Sequence, residues 1–150
     1  MGSTEQLRAT VDKFVFTVPI DRVYSPEHYW VQQEGESVRV GLTDFRQQTA
    51  GDVAFVECKP KGSVLGAGED LANLETIKSN VVVPSPLRGT VVAVNEILSE
   101  RPELVNEDCY GQGWLVALAP ADSKEVDRLL TPSTYLPLMV KAAEAARTKV

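Results

Sequence analysis

The sequence predicts a mainly β fold, a compact antiparallel domain of the sandwich or partly open barrel kind. Three observations carry this: short apolar runs recur at close intervals, turn formers separate them, and a sustained helical pattern appears only near the C-terminus. The runs are Tyr29 to Gln32, Ser37 to Leu42, Val53 to Cys58, Leu71 to Ile77, Val81 to Val83, Gly89 to Val94 and Trp114 to Leu118. Gly35, Gly51, Lys61-Gly62, Gly66-Ala67-Gly68, Pro84-Ser85-Pro86 and Gly111-Gln112-Gly113 supply the turns, through backbone freedom or a fixed φ.

The ends are read separately. Residues 1 to 13 are polar and mixed in charge, which predicts a loose arm or a short helix. From Phe14 the period becomes two, predicting a strand closed by Pro19 and packed on the main domain. Thr43 caps a short helix through Phe45 and Gln48 that Gly51 stops. Asp122 with Glu125 forms a capping-box pattern ahead of Val126, Leu129 and Leu130. A last helix starts at Thr131, with Pro132 in its first position, and carries Leu138, Val140 and Ala142.

Composition excludes several classes of function. At 150 residues the chain suits one domain with its own core. Its net charge is −6, and its 15 Lys and Arg residues form no stripe that could follow phosphates, so nucleic acid is not an expected partner. The longest apolar runs fall far short of the roughly 20 residues of a membrane span. The polar start, Met1 to Gln6, is unlike a signal peptide, so a cytoplasmic protein is expected. Cys58 and Cys109 form no CxxC pair, and His28 is the single histidine, so neither a disulfide framework nor a zinc motif is expected. With no nucleophile–base pair or metal set, the chain reads as a non-enzyme whose chemistry comes from an attached group or a partner.

The most informative stretch runs from Leu71 to Gly89. Lys78 stands between two apolar runs, beside the small polar residues a tight hairpin accepts. A lysine held at a rigid hairpin tip is what a carrier needs, because several enzymes must reach one amine. Spacing alone favours a solvated surface lysine, because exposed lysines are abundant.

Glu75-Thr76-Ile77-Lys78, followed by Pro84-Ser85-Pro86-Leu87-Arg88-Gly89, resembles the lipoyl-lysine hairpin of the glycine cleavage H protein family. Further blocks resemble the same family in the same order: Tyr24 to Val31, Val40 to Phe45, Gly51 to Val56, Val94 to Glu96, Pro102 to Asp108 and Tyr110 to Trp114. The resemblance covers Tyr24 to Leu130. It implies a barrel-sandwich hybrid of the lipoyl or biotinyl carrier type, two small antiparallel sheets with short helices. It also implies lipoate amide-linked to Lys78, with Glu75 and Gly89 recognised by a lipoate ligase or the lipoyl synthesis enzymes. Biotin carriers place methionines around the lysine, whereas Ile77 and Ser79 flank Lys78. The expected organisation is an N-terminal arm and edge strand over 1–23, a carrier domain over 24–130 and a helical extension over 131–150.

Three departures bear on the cargo. Where glycine-cleaving H proteins carry a glutamate, a histidine and an aspartate that hold the aminomethyl-loaded arm, a gapless comparison puts Tyr29, Thr49 and Val82. A cationic cargo would lose charge-assisted hydrogen bonds worth roughly 1.5–3 kcal/mol each. Cys109 replaces the usual proline and Cys58 a usual apolar residue. Both read first as small buried hydrophobes, and alternatively as thiols exchanging with the dithiolane. With the additional ends, these features are similar to the lipoate-binding proteins of heterodisulfide-reductase-like sulfur oxidation. That resemblance makes a heterodisulfide-reductase-like complex the expected partner. The alternatives are glycine cleavage with glycine decarboxylase, aminomethyltransferase and dihydrolipoamide dehydrogenase, and an unmodified structural or regulatory relative. His28, Trp30 and Trp114 read as packing residues, and Glu69, Asp70 and Glu75 as acidic groups that could steer a basic partner.

Overall fold

In a computed structural model that describes residues 5–148, the chain forms β1 (Gln6–Val11), β2 (Phe14–Pro19), β3 (Val23–Tyr24), β4 (Tyr29–Glu34), β5 (Ser37–Leu42), α1 (Asp44–Ala50), β6 (Val53–Cys58), β7 (Val64–Leu65), β8 (Asp70–Thr76), β9 (Asn80–Pro84) and β10 (Gly89–Val94). A 3₁₀ turn at Glu96–Ser99 follows, then α2 (Leu104–Glu107), β11 (Val116–Pro120), α3 (Lys124–Asp127) and α4 (Pro132–Thr148). Parts of the expected arm and extension, residues 1–4 and 149–150, lie outside the described residues.

Six strands in the order β3-β4-β5-β11-β10-β7 make the larger sheet, and β6-β8-β9 make the smaller one. All their pairings are antiparallel. Alternation decides which side chains face inward: Val38, Val40 and Leu118 from the larger sheet share one core with Leu74, Val81 and Val83 from the smaller. Burying each such side chain is worth about 1.5–3 kcal/mol, so this shared core holds the two sheets in register.

The N-terminus departs from expectation. Residues 6–11 form neither a loose arm nor a helix but strand β1, paired with β2 from Gln6 opposite Pro19 to Val11 opposite Phe14. Only Leu7, Ala9 and Val11 turn inward, between exposed Arg8 and Thr10, so the period-two signal is weak. Asp12 makes the turn with φ of 57°, a left-handed conformation that aspartate tolerates better than most residues. The hairpin and α4 supply a second core in which Val11, Phe16, Phe45, Tyr135, Met139 and Ala143 are buried. Tyr110 ties the hairpin down: its hydroxyl donates to the Thr17 carbonyl at 2.6 Å and accepts from the Asp44 amide at 2.9 Å.

The capping readings divide. Thr43 Oγ1 accepts from the Arg46 amide at 3.1 Å and Gly51 closes α1, as its sequence predicts. Thr131 Oγ1 accepts from the Thr134 amide at 3.2 Å ahead of Pro132, again as predicted. The capping box does not form. Asp122 accepts from the Lys124 amide at 2.9 Å, but Glu125 turns to Arg88 at 2.7 Å, and α3 is a single turn.

Two packing features yield predictions. An added Cβ on Gly41 would lie 2.5 Å from the Trp30 ring. That ring cannot move aside, because its N–H donates to the Cys109 carbonyl at 2.8 Å and the Arg22 guanidinium stacks on it at 4.7 Å. Gly41→Ala should therefore lose about 1–3 kcal/mol in urea unfolding followed by tryptophan fluorescence. His28, at φ 79°, shares a 2.8 Å hydrogen bond between Nδ1 and the Tyr135 hydroxyl and packs on Phe45. Burial, and then the Arg46 charge, lower its pKa from 6.5 to about 4. The unfolded chain thus binds the proton more tightly, and this residue's contribution to stability is complete above pH 6.5 and lost as pH falls toward 4. In His28→Asn, which keeps a residue tolerant of positive φ, stability should vary less between pH 6.5 and 4 than in the parent, as measured by denaturant titration.

Candidate functional site

Lys78 occupies the turn joining β8 to β9. The turn is held from inside by Thr76, whose Oγ1 accepts from the amides of Lys78 at 3.2 Å and Ser79 at 3.1 Å and donates to the Ser79 carbonyl at 2.9 Å. The Thr76 amide also donates to the Ser79 carbonyl, at 2.9 Å. These bonds engage the amides of Thr76, Lys78 and Ser79 and the Ser79 carbonyl, which braces the turn although Ile77, Lys78 and Ser79 are exposed. From outside, the Ile77 amide donates to the Asp52 carbonyl at 3.2 Å, tying the tip to the corner between α1 and β6.

That corner carries the side chain of Lys78. Gly51 leaves α1 at φ 86°, and a Cβ there would lie 3.3 Å from Lys78 Cε and 3.4 Å from Cδ. Glycine serves both the left-handed backbone and the close passage of the lysine stem. Asn106, on α2, fixes the corner: Oδ1 accepts from the Val53 amide at 2.9 Å, and Nδ2 donates to the Gly51 carbonyl at 2.9 Å and to Gln47 Oε1 at 3.2 Å. The sequence placed Asn106 in a matching block without a role, and marked Gly51 as a turn former, a helix stop and the start of another matching block but not as the support of the Lys78 stem. The Gly-Asp step after a capped helix was the available signal.

The other residues singled out from sequence fall into separate groups. Tyr29 and Thr49 come together through Arg46, which sequence reasoning passed over. Arg46 Nε donates to the Tyr29 hydroxyl at 3.2 Å, and its Nη1 donates to Thr49 Oγ1 at 3.3 Å. A cation thus sits between the two positions. Val82 belongs to another surface. It is half exposed on the outer face of the smaller sheet, opposite Asn73, where Cys58, Asn73, Asn80 and Val82 line a groove of about 490 Å³.

Glu75 is exposed and pairs with Asn80 beside the turn. Gly89 lies in the larger sheet between Leu65 and Pro120, buried, and a Cβ there would lie 2.7 Å from the Ala119 carbonyl oxygen. Close strand packing is sufficient reason for glycine at that position. Both cysteines are poor nucleophiles where they stand. Burial, with Glu57 nearby, pushes the Cys58 thiol up to about 12, and burial with Asp44 and Asp108 does the same for Cys109. Cys58 packs against the shared core and its thiol donates to the Leu115 carbonyl at 3.8 Å, while Cys109 is buried.

The arrangement presents an exposed primary amine on a hydrogen-bonded turn, its stem passing across a glycine, and a single cation, Arg46, joining Tyr29 to Thr49 on α1. A family model described as "Glycine cleavage H-protein" matches residues 22–142. The chain is 45% identical over 120 residues to a probable glycine cleavage system H protein of Haloarcula marismortui, covering 80% of this chain and 94% of that one. It is 44% identical over 119 residues to the glycine cleavage system H protein of Anoxybacillus flavithermus, covering 79% and 94%. The crystal structure of a glycine cleavage system H protein from Mycobacterium marinum superposes with a TM-score of 0.71 at 33% identity, covering 79% of this chain and 95% of that one. None of these relatives is described as a sulfur-oxidation protein. The chain belongs to the glycine cleavage H-protein family.

Proposed function

We propose that this chain is a lipoyl carrier of the H-protein type, with lipoate joined by an amide bond to Lys78. The observation that carries the reading is the Lys78 turn itself, exposed at its tip and braced against the Gly51 corner. The residues fit the group, because Gly51 leaves room for the lysine stem and Lys78 is exposed. Bound lipoate supplies a dithiolane that cycles between disulfide and dithiol. This chain's own part is to present that group and to bring it back to a surface between visits to partner enzymes.

The names of the relatives favour glycine cleavage as the setting. There, glycine decarboxylase, aminomethyltransferase and dihydrolipoamide dehydrogenase would be the partners, and an aminomethyl group the cargo. A second reading is a carrier for heterodisulfide-reductase-like sulfur oxidation. One observation favours it: Arg46 bonds both Tyr29 and Thr49, the residues that stand where glycine-cleaving H proteins carry a glutamate and a histidine. A guanidinium opposes a cationic cargo and favours an anionic one.

Two measurements test these readings. With lipoate, ATP and a lipoate ligase, the intact mass should rise by one lipoyl unit, and Lys78→Arg should abolish the rise. An unmodified wild-type chain would sink the carrier reading and leave an unmodified relative. Ready loading of the lipoylated chain by glycine decarboxylase is the outcome expected for glycine cleavage. Poor loading that improves in Arg46→Ala, roughly five-fold for about 1 kcal/mol of screened repulsion removed, would instead favour the sulfur reading.

A further inference from the structure

The smaller sheet keeps one face off the core. Its pairings set two rows of side chains there: Phe55, Glu75 and Asn80 nearest the Lys78 turn, then Glu57, Asn73 and Val82. The residues between the rows, Val56, Leu74 and Val81, turn to the shared core. Five of the six outward residues are exposed and Asn73 alone is half-buried, which makes it the low point of the face. Its Oδ1 is the one buried side-chain oxygen or nitrogen among the described residues that no other group of the chain bonds. A carbonyl oxygen in that condition calls for a donor from outside the chain.

Asn73 lines the groove of about 490 Å³ together with Glu57 and Asp70, both exposed, and with the apolar Pro60, Ala72 and Val82. Lys59 lines it as well, so its walls carry two negative charges against one positive, and Glu75 adds a further carboxylate beside Asn80. That set matches one type of side chain. A basic residue lays its methylenes along apolar surface and keeps its head among polar groups. Here Val82, Ala72 and Pro60 offer the surface, and Asn73 Oδ1 with the Glu57 and Asp70 carboxylates offers the acceptors. A guanidinium donates to several acceptors at once and is more weakly hydrated than an ammonium, so arginine fits best.

Position decides which partner carries that residue. Asn80 and Val82 stand two and four residues beyond Lys78, at most about 7 and 14 Å along an extended strand. The bare lysine side chain spans only about 6 Å, five single bonds of about 1.5 Å. The enzyme that makes the first bond to Nζ therefore has to lie against the turn and the face beside it, whereas an enzyme working on the finished arm meets a group held further out. In that first step an amide bond forms between Lys78 Nζ and the lipoyl carbonyl carbon. The bond from that carbon to an activating phosphate drawn from ATP breaks, and Nζ releases a proton to water. We infer that this groove seats a basic side chain, arginine by preference, of the enzyme that attaches lipoate to Lys78, and so holds the turn at that enzyme's active site. The inference rests on the attachment proposed above and adds the contact through which it is made.

The test uses the full unmodified chain with lipoate, ATP and a lipoate ligase, and reads the rate of attachment against carrier concentration. Glu57→Gln combined with Asp70→Asn removes two charges at exposed positions. The KM for the carrier should rise about ten-fold with kcat within about two-fold, and the increase of KM from low to high salt seen in the wild type should flatten. Asn73→Val keeps a strand-forming residue and removes the unbonded oxygen. It should raise KM about five-fold and at the same time raise the midpoint of urea unfolding, whereas an asparagine that serves the sheet alone would do neither. An unchanged KM in either variant, or a lowered urea midpoint in Asn73→Val, would overturn the seat. So would a loss of loading by glycine decarboxylase without a loss of attachment, which would assign the groove to another partner. A wild-type chain that gains no lipoyl mass would instead remove the carrier reading, and the seat with it.

Discussion

The Lys78 site depends on the hydrogen bonds of one amide side chain. Asn106 saturates the Gly51 carbonyl and the Val53 amide with its two ends, at the point where the chain leaves α1 and enters the smaller sheet. Backbone groups at such a corner have no ladder partner, and leaving them unpaired away from water would cost about 1–3 kcal/mol each. With the corner fixed, the Asp52 carbonyl can hold the Ile77 amide, and the Lys78 turn inherits the rigidity of the core. The exposed amine is accordingly positioned by a residue nearly thirty places away in sequence.

This explains which parts of the fold the sequence disclosed. The strands of the two main sheets are visible because each has one face in the shared core, which writes alternation into the chain: Val38 and Val40, Val81 and Val83. Helix α4 is visible through its Thr131-Pro132 start. β1 is hidden because its inward face needs only three modest side chains to cover α4. The two-residue strands β3 and β7 are too short to show a period. α3 misleads because its capping pattern is satisfied in sequence, whereas in space Arg88 outcompetes the helix start for Glu125. The charge-assisted pair is the stronger bond.

At the site, legibility followed covalent chemistry more closely than electrostatics. A lysine in a hairpin can be seen in one dimension. The tie between Tyr29, Arg46 and Thr49 cannot, since Tyr29 comes from β4 and the other two from α1, brought together by the packing of that helix over the larger sheet. Comparing single positions with the family reported the loss of two polar residues, and only the folded chain shows that an arginine joins their replacements. Val82 shows the reverse error: grouped with them by sequence, it faces a groove shared with Cys58 and Asn73.

The second core gives the additional ends a consequence beyond stability. Tyr135 of α4 stacks on Tyr24 at 4.6 Å, donates to Thr43 Oγ1 at 3.1 Å and meets His28, so α4 is fastened to the N-cap of α1. The hairpin is fastened to the same helix through Asp44, whose carboxylate accepts from Thr17. Both additions thus converge on α1, the helix whose far end carries Gly51 and the Lys78 stem. Helices of two turns are marginal alone and take their stability from packing. Clamping α1 from both sides therefore does for the C-terminal end of that helix what Asn106 does for the corner beyond it: it fixes the backbone that the Lys78 side chain passes over.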